Sequence, residues 1–209
     1  MTAGSPAAPR SPGRTDEARE LEKIQRSVRP ALDAVTDEMK RSVTHESPLV
    51  ARIGEHLMGM RGKLFRPTLL LLCSRVDGKA EPKAVNLAAA VELIHLATLV
   101  HDDAVDHSVL RRGMPTLNSL FSHQISVIMG DFLYSTALGQ LVSVGDLESL
   151  RVLTRASTEM SVGELRQRSV IDSLSFAEHD YYALIRSKTA SLISAACEVG
   201  AICGASRYR

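Results

Sequence analysis

From Glu17 onward the apolar residues fall at helical spacing and keep to it. Leu21, Ile24, Val28, Leu32 and Val35 recur at steps of three and four, which places them on one stripe of a helix. Pro30 stands inside this run, and its missing N–H predicts a kink or a split there. A second helix is predicted over 49–60. The polar stretch 61–67 interrupts it, an almost wholly apolar helix follows over 68–76, and Asp77-Gly78 reads as a turn. The segment 82–105 is apolar on nearly every side (Leu87 to Val91, Leu93, Ile94, Leu96, Ala97, Leu99, Val100), as a helix must be when other elements surround it. A loop at 113–116 precedes helices predicted over 119–144, 146–173 and 176–203. Val and Ile sit at helical spacing and no Asn-Gly hairpin signal occurs, so no strands are expected. The pattern predicts an all-α helical bundle around a central apolar helix that carries polar residues at its end.

Composition narrows the picture without changing it. The chain has 209 residues, 44% hydrophobic and 23% charged, enough for one domain with a substantial core. Residues 1–18 are expected to form a disordered tail, and 19–209 the folded domain. A net charge of +1 with no block of like charges excludes a nucleic-acid surface. No run of about 18 apolar residues lacks a charge, so no transmembrane segment is expected. Cys73, Cys197 and Cys203 form no CxxC pair, and read as buried thiols of a cytoplasmic, reducing compartment.

The chemistry lies at the end of the central helix. Asp102 and Asp106 are four apart and share one helix face, while Asp103 points about 100° away. Two like charges one turn apart repel, and a divalent cation between them removes that cost. Magnesium suits the pattern, because it takes one or two carboxylates and leaves its other positions to water and phosphate oxygens. His95 lies seven residues earlier on the same face, and Arg111-Arg112-Gly113 follows closely, with guanidinium forks matched to phosphate. Lys63 and Arg66 in Gly62-Lys-Leu-Phe-Arg-Pro67, and Lys188-Thr189, add cations and a hydroxyl. Gly163-Glu164 and Gln167 either line the same cavity or face solvent. Alone, each of these reads more simply as a solvated helix end or flank.

Taken in order, GKxxRP, IHxxxxxHDDxxDxxxxRRG, GDFL (130–133), GExxQ and KTA are similar to the trans-isoprenyl diphosphate synthases, or polyprenyl synthetases, and resemble their long-chain, octaprenyl-type members. The resemblance runs from about residue 20 to the C-terminus. It implies a magnesium-dependent prenyltransferase that ionises an allylic diphosphate and condenses it, head to tail, with isopentenyl diphosphate. Asp102 and Asp106 match its metal ligands; Asp102, Asp103, Asp106 and Lys188 match catalytic positions. Lys63, Arg66, His95 and Arg112 match the isopentenyl diphosphate site, and Arg111, Lys188 and Thr189 the allylic diphosphate site. Ala97 and Thr98 fall where bulky residues limit chain length in short-chain members, so a product beyond fifteen carbons is expected. The family's second aspartate-rich motif, FQxxDDxxD, does not occur in these 209 residues. The expectation is a C-terminally truncated member lacking one cavity wall, working as a homodimer or with a partner subunit. The alternative is a non-catalytic or partner-dependent subunit that binds prenyl diphosphates. The apolar face of the last helix, from Leu192 to Ile202, is expected to be exposed.

Overall fold

The structure, a computed structural model, describes residues 14–60, 62–76, 81–170 and 177–204; residues 1–13 of the expected tail lie outside them, as does the Asp77-Gly78 turn, whereas 14–18 begin the first helix instead of a disordered tail. Ten α-helices occur among the described residues. The first is α1 (Arg14–Gln25), and a single 3₁₀ turn over Arg26–Val28 leads into α2 (Arg29–Val43). Pro30 sits in the first turn of α2, where its missing N–H costs nothing, so it splits the run rather than kinking it. Then come α3 (Pro48–Gly59), α4 (Phe65–Cys73) and α5 (Lys83–Val105).

The helix α5 is the centre of the bundle. It packs against α2, α4, α7 (His123–Val144) and α10 (Ser191–Gly204). Leu87, Ala88, Ala89, Ala90, Val91, Leu93 and Ile94 are all buried, around the full circumference of the helix. Burying each large side chain stabilises the fold by about 1.5–3 kcal/mol. By length and composition alone, α5 and α7 are apolar enough to cross a membrane, but 61% of the apolar window of α5 is enclosed by its own bundle.

Several expectations are corrected, among them the helix predicted over 119–144, which begins only at His123 after a separate short turn of helix over Leu117–Leu120. A short antiparallel ribbon, β1 (Leu110–Arg111) with β2 (Met114–Pro115), stands where only loop was expected. Its two-residue turn, Arg112-Gly113, has φ of 53° and 79°, the paired positive values that a tight hairpin requires. After the ribbon come α6 (Leu117–Leu120), α7 and α8 (Leu147–Val170). The last predicted helix is broken into α9 (Glu178–Ile185), one π-helical turn (Arg186–Ala190) and α10. The apolar face of α10 is covered, not exposed. Leu192, Ala195, Ala196, Val199 and Cys203 are buried, because α10 lies against α4 and α8. At Gly200 the α4 backbone comes so close that a Cβ would meet the Leu70 carbonyl oxygen, so glycine is what permits the approach. Of the cysteines only Cys203 is fully buried; Cys73 and Cys197 are half-buried free thiols.

Candidate functional site

One cavity of about 450 Å³ opens beside the C-terminal half of α5. Its α5 wall carries His95, Thr98, Leu99, His101 and Asp102; Met160, Ser161, Glu164 and Leu165 come from α8, and Lys188 and Thr189 from the π turn. The α-helical register would place successive side chains 100° apart. The extra residue of the π turn re-aims Lys188, and such turns recur at functional sites. A smaller cleft shares His95 and Leu99 with this cavity and is lined further by Gly62, Leu64, Glu92 and Arg112. Arg66 opens into the larger space. The cavity therefore has an anionic end, a cationic side and an apolar wall.

The anionic end is held by cations. Lys188 Nζ lies 2.5 Å from Glu164 Oε2, 3.1 Å from Gln167 Oε1 and 3.6 Å from Asp102 Oδ2. Arg168 Nη2 donates to Asp106 Oδ1 at 2.5 Å and to Glu164 Oε1 at 3.2 Å. Burial pushes the Asp102 carboxyl above its ordinary value against the pull of Lys188, and the neighbouring Glu164 and Asp106 charges push it further. Burial works against the Lys188 ammonium, but its bond to Glu164 and the charges of Asp102, Glu164 and Asp106 win and raise it.

The cationic side is desolvated. His95 falls from 6.5 to about 3, first because it is buried and then because Arg66, Arg112 and Arg111 stand near it. It is a neutral imidazole at physiological pH, a hydrogen-bonding group rather than a charge. Burial lowers Arg66, and Glu92 opposes that shift. Glu92 is 8% exposed and raised by burial, against the charges of Arg66 and Arg112. Its Oε2 and the Arg66 Nε are buried without a partner among the described residues. Buried polar atoms left unpaired beside a cleft suit a site that awaits a polar ligand.

The expected residues do not all converge. Asp102, His95, Arg66, Lys188 and Thr189 line the main cavity, and Arg112 the adjoining cleft. Asp106 reaches the anionic end through Arg168. Asp103 turns away: it is 5% exposed and accepts from Arg111 Nε at 2.8 Å. That hydrogen bond is the main cause of the raised Arg111 guanidinium. Asp103 thus fixes Arg111 and the β1 end rather than facing the cavity. Lys63 is exposed and lines neither space; its carbonyl accepts from Gln25 Nε2 at 2.8 Å. Thr98 lines the cavity, whereas Ala97 is buried on another face of α5.

Sequence reasoning missed Arg168 and Glu92, and left Glu164 open. The i, i+4 spacing of Glu164 and Arg168 was the available signal. It also missed His101, whose Nε2 donates to the Val127 carbonyl at 3.1 Å and lies 3.3 Å from Asp131. A Cβ at Gly130 would collide with that ring, so the glycine makes room for His101.

The donors fit a hard divalent cation. Asp102, Asp106 and Glu164 offer oxygen only, and their like charges need a counter-cation. No group of three His, Cys, Asp or Glu residues among the described ones is arranged to hold a metal alone.

Comparison with known proteins identifies the family and the fold. A family model described as polyprenyl synthetase matches residues 47–208. The octaprenyl diphosphate synthase of Escherichia coli (strain K12) is 34% identical over 182 residues, covering 87% of this chain and 56% of that enzyme. Component 2 of the heptaprenyl diphosphate synthase of Geobacillus stearothermophilus is 35% identical over 173 residues, covering 82% of this chain and 53% of the relative. The crystal structure of a polyprenyl synthase from Caulobacter crescentus CB15, complexed with calcium and isoprenyl diphosphate, superposes with a TM-score of 0.85. It is 33% identical, and the match covers 88% of this chain and 56% of that one. The chain thus spans little more than half the length of the relatives it matches.

Proposed function

This chain belongs to the polyprenyl synthetase family, and from that premise we propose that it condenses isopentenyl diphosphate with an allylic diphosphate to lengthen a prenyl chain. The observation that carries the reading is the meeting, in one cavity, of Asp102, Lys188 and Arg66 with an apolar wall of Leu99, Met160 and Leu165. Diphosphate leaves carbon only when its negative charge is neutralised. Lys188 and Thr189 stand beside the carboxylates where the allylic diphosphate would be held; Arg111 lines neither space and is paired with Asp103, and would add charge only from the ribbon behind them. Magnesium held by Asp102 and Asp106 would neutralise the leaving group further when bound. Arg66, Arg112 and neutral His95 would hold the second diphosphate in the adjoining cleft. The allylic C–O bond breaks, the double bond of isopentenyl diphosphate attacks the cation, and a proton leaves the new chain. No nucleophilic side chain is required. The apolar wall keeps water from the cation.

Thr98 supports a product longer than fifteen carbons, because it is small where it lines the cavity one turn before Asp102. A second reading is that the chain works as one component of a complex. Leu165 lines the cavity yet is 71% exposed, so further polypeptide would complete this wall, which in this reading a second copy of the chain or a different subunit supplies. The name of the Geobacillus relative fits that reading. We place either form in a reducing, cytoplasmic setting. Incubation with labelled isopentenyl diphosphate, farnesyl diphosphate and magnesium tests both. Longer labelled products support the autonomous enzyme, and magnesium-dependent binding without turnover supports the component. Neither product nor binding sinks both.

A further inference from the structure

Two cations from outside α5 reach Asp102 and Asp106, and they differ. Lys188 sits on the expected allylic diphosphate side. Arg168 belongs to none of the motifs that carry the family resemblance. It lies one turn after Glu164 on α8 and uses a single nitrogen, Nη2, to reach both Asp106 and Glu164. Its Nε and Nη1 have no acceptor among the described residues, and its side chain is about one-third exposed. A helix-surface ion pair with Glu164 alone would need no contact with α5. The bond to Asp106 spans 62 residues of sequence and joins α8 to the end of the central helix.

We propose that Arg168 is a further diphosphate-binding residue, parked on Asp106 until a divalent cation claims that carboxylate and hands the guanidinium to the substrate. The inference rests on the metal–diphosphate reading of Asp102 and Asp106. Its logic is charge balance. A cation on Asp106 and Glu164 offsets their repulsion in the empty site, but it holds a carboxylate oxygen that the metal needs. Once displaced, Arg168 remains tethered beside the site. Its planar fork, two nitrogens of which have no acceptor among the described residues, then faces the added negative charge of a diphosphate. Arg168 therefore opposes metal binding in the absence of substrate and favours diphosphate binding in the presence of metal.

Those opposite effects make the test. Manganese, followed by its spin-resonance signal, reports metal binding to the free chain. Calorimetry with inorganic diphosphate and magnesium reports anion binding. Arg168→Gln should bind manganese roughly fivefold tighter, the worth of removing one competing exposed ion pair. It should bind diphosphate roughly tenfold more weakly, the worth of a charge-assisted hydrogen bond. Arg168→Lys keeps the charge and loses the fork, so its manganese affinity should stay near wild type while diphosphate affinity still falls. A purely structural role would leave both affinities unchanged or weaken both, and either result overturns the proposal. Circular dichroism confirms that the variants keep their helices; if Arg168→Gln does not, Arg168→Lys carries the test by itself. Asp102→Asn with Asp106→Asn separates the two levels. If that double variant binds manganese as wild type does, the metal reading of the carboxylates fails. If it loses the metal and the Arg168 variants behave as wild type, only the role of Arg168 fails.

Discussion

Replacing His95 with glutamine should remove a defined part of the protein's acid sensitivity. His95 has a folded-state pKa of about 3 against an ordinary 6.5, owing to burial and then to Arg66, Arg112 and Arg111. The unfolded chain therefore binds a proton near pH 6.5 that the folded chain refuses until about pH 3. Stability from this group is complete above pH 6.5 and is lost as pH falls from there toward about 3. At about pH 5 the unfolded state is favoured by some 1.5 pH units of proton binding, or about 2 kcal/mol relative to about pH 8. The raised carboxyl of Glu92 works in the opposite sense, since stability from a buried neutral acid is greatest at low pH. It is common to wild type and variant, so subtraction removes it. The assay is urea unfolding of wild type and His95→Gln at both pH values. The wild type should lose about 2 kcal/mol more than the variant between about pH 8 and pH 5. Equal losses would refute the claim that His95 is buried as a neutral ring in a cationic setting.

Other outcomes follow from individual contacts. Arg111→Ala strands the buried Asp103 carboxylate, whose Oδ1 is already unpartnered. It should cost about 3 kcal/mol by thermal or denaturant unfolding, and a loss below about 0.5 kcal/mol would show that the pair is solvated like an ordinary surface bridge. Gly130→Ala should displace the His101 ring and destabilise by about 1–3 kcal/mol, with its melting temperature as the readout. If the chain elongates prenyl groups, Thr98→Phe fills the cavity one turn below Asp102 and should shift the products to shorter chains on reversed-phase chromatography. An unchanged product profile would move the chain-length determinant to another wall, Met160 being the next candidate.

The central helix was legible because its burial is written all round it. Fifteen of its 23 residues are Ala, Val, Leu or Ile, and few charges interrupt them, so little polar face is left to hydrate. The split at Pro30 was legible for the same local reason. The candidate site was legible where its residues share an element or a motif: Asp102 with Thr98 and His95 on α5, and Lys188 with Thr189. It was not legible where a side chain is satisfied across elements. Arg168 reaches Asp106 only because α8 passes the end of α5, and nothing local to residue 168 announces that. The 100° offset of Asp103 from Asp102 is a sequence property, but its partner Arg111 follows from the hairpin at Arg112-Gly113. The π turn at Arg186–Ala190 leaves no mark in hydrophobic periodicity, so the last predicted helix read as continuous. The face of α10 read as exposed because half of its cover, α4, lies more than a hundred residues away in the chain, and the other half, α8, folds back on it only through the break at the π turn.

The account stands on Asp102 and Asp106 as the seat of a metal-bridged diphosphate. Calorimetric titration of farnesyl diphosphate into the chain, with magnesium and again with a chelator in its place, tests that directly. The account predicts saturable binding with magnesium, lost on chelation and lost in Asp102→Asn with Asp106→Asn. Binding of equal strength in all three conditions, or none in any, would contradict it.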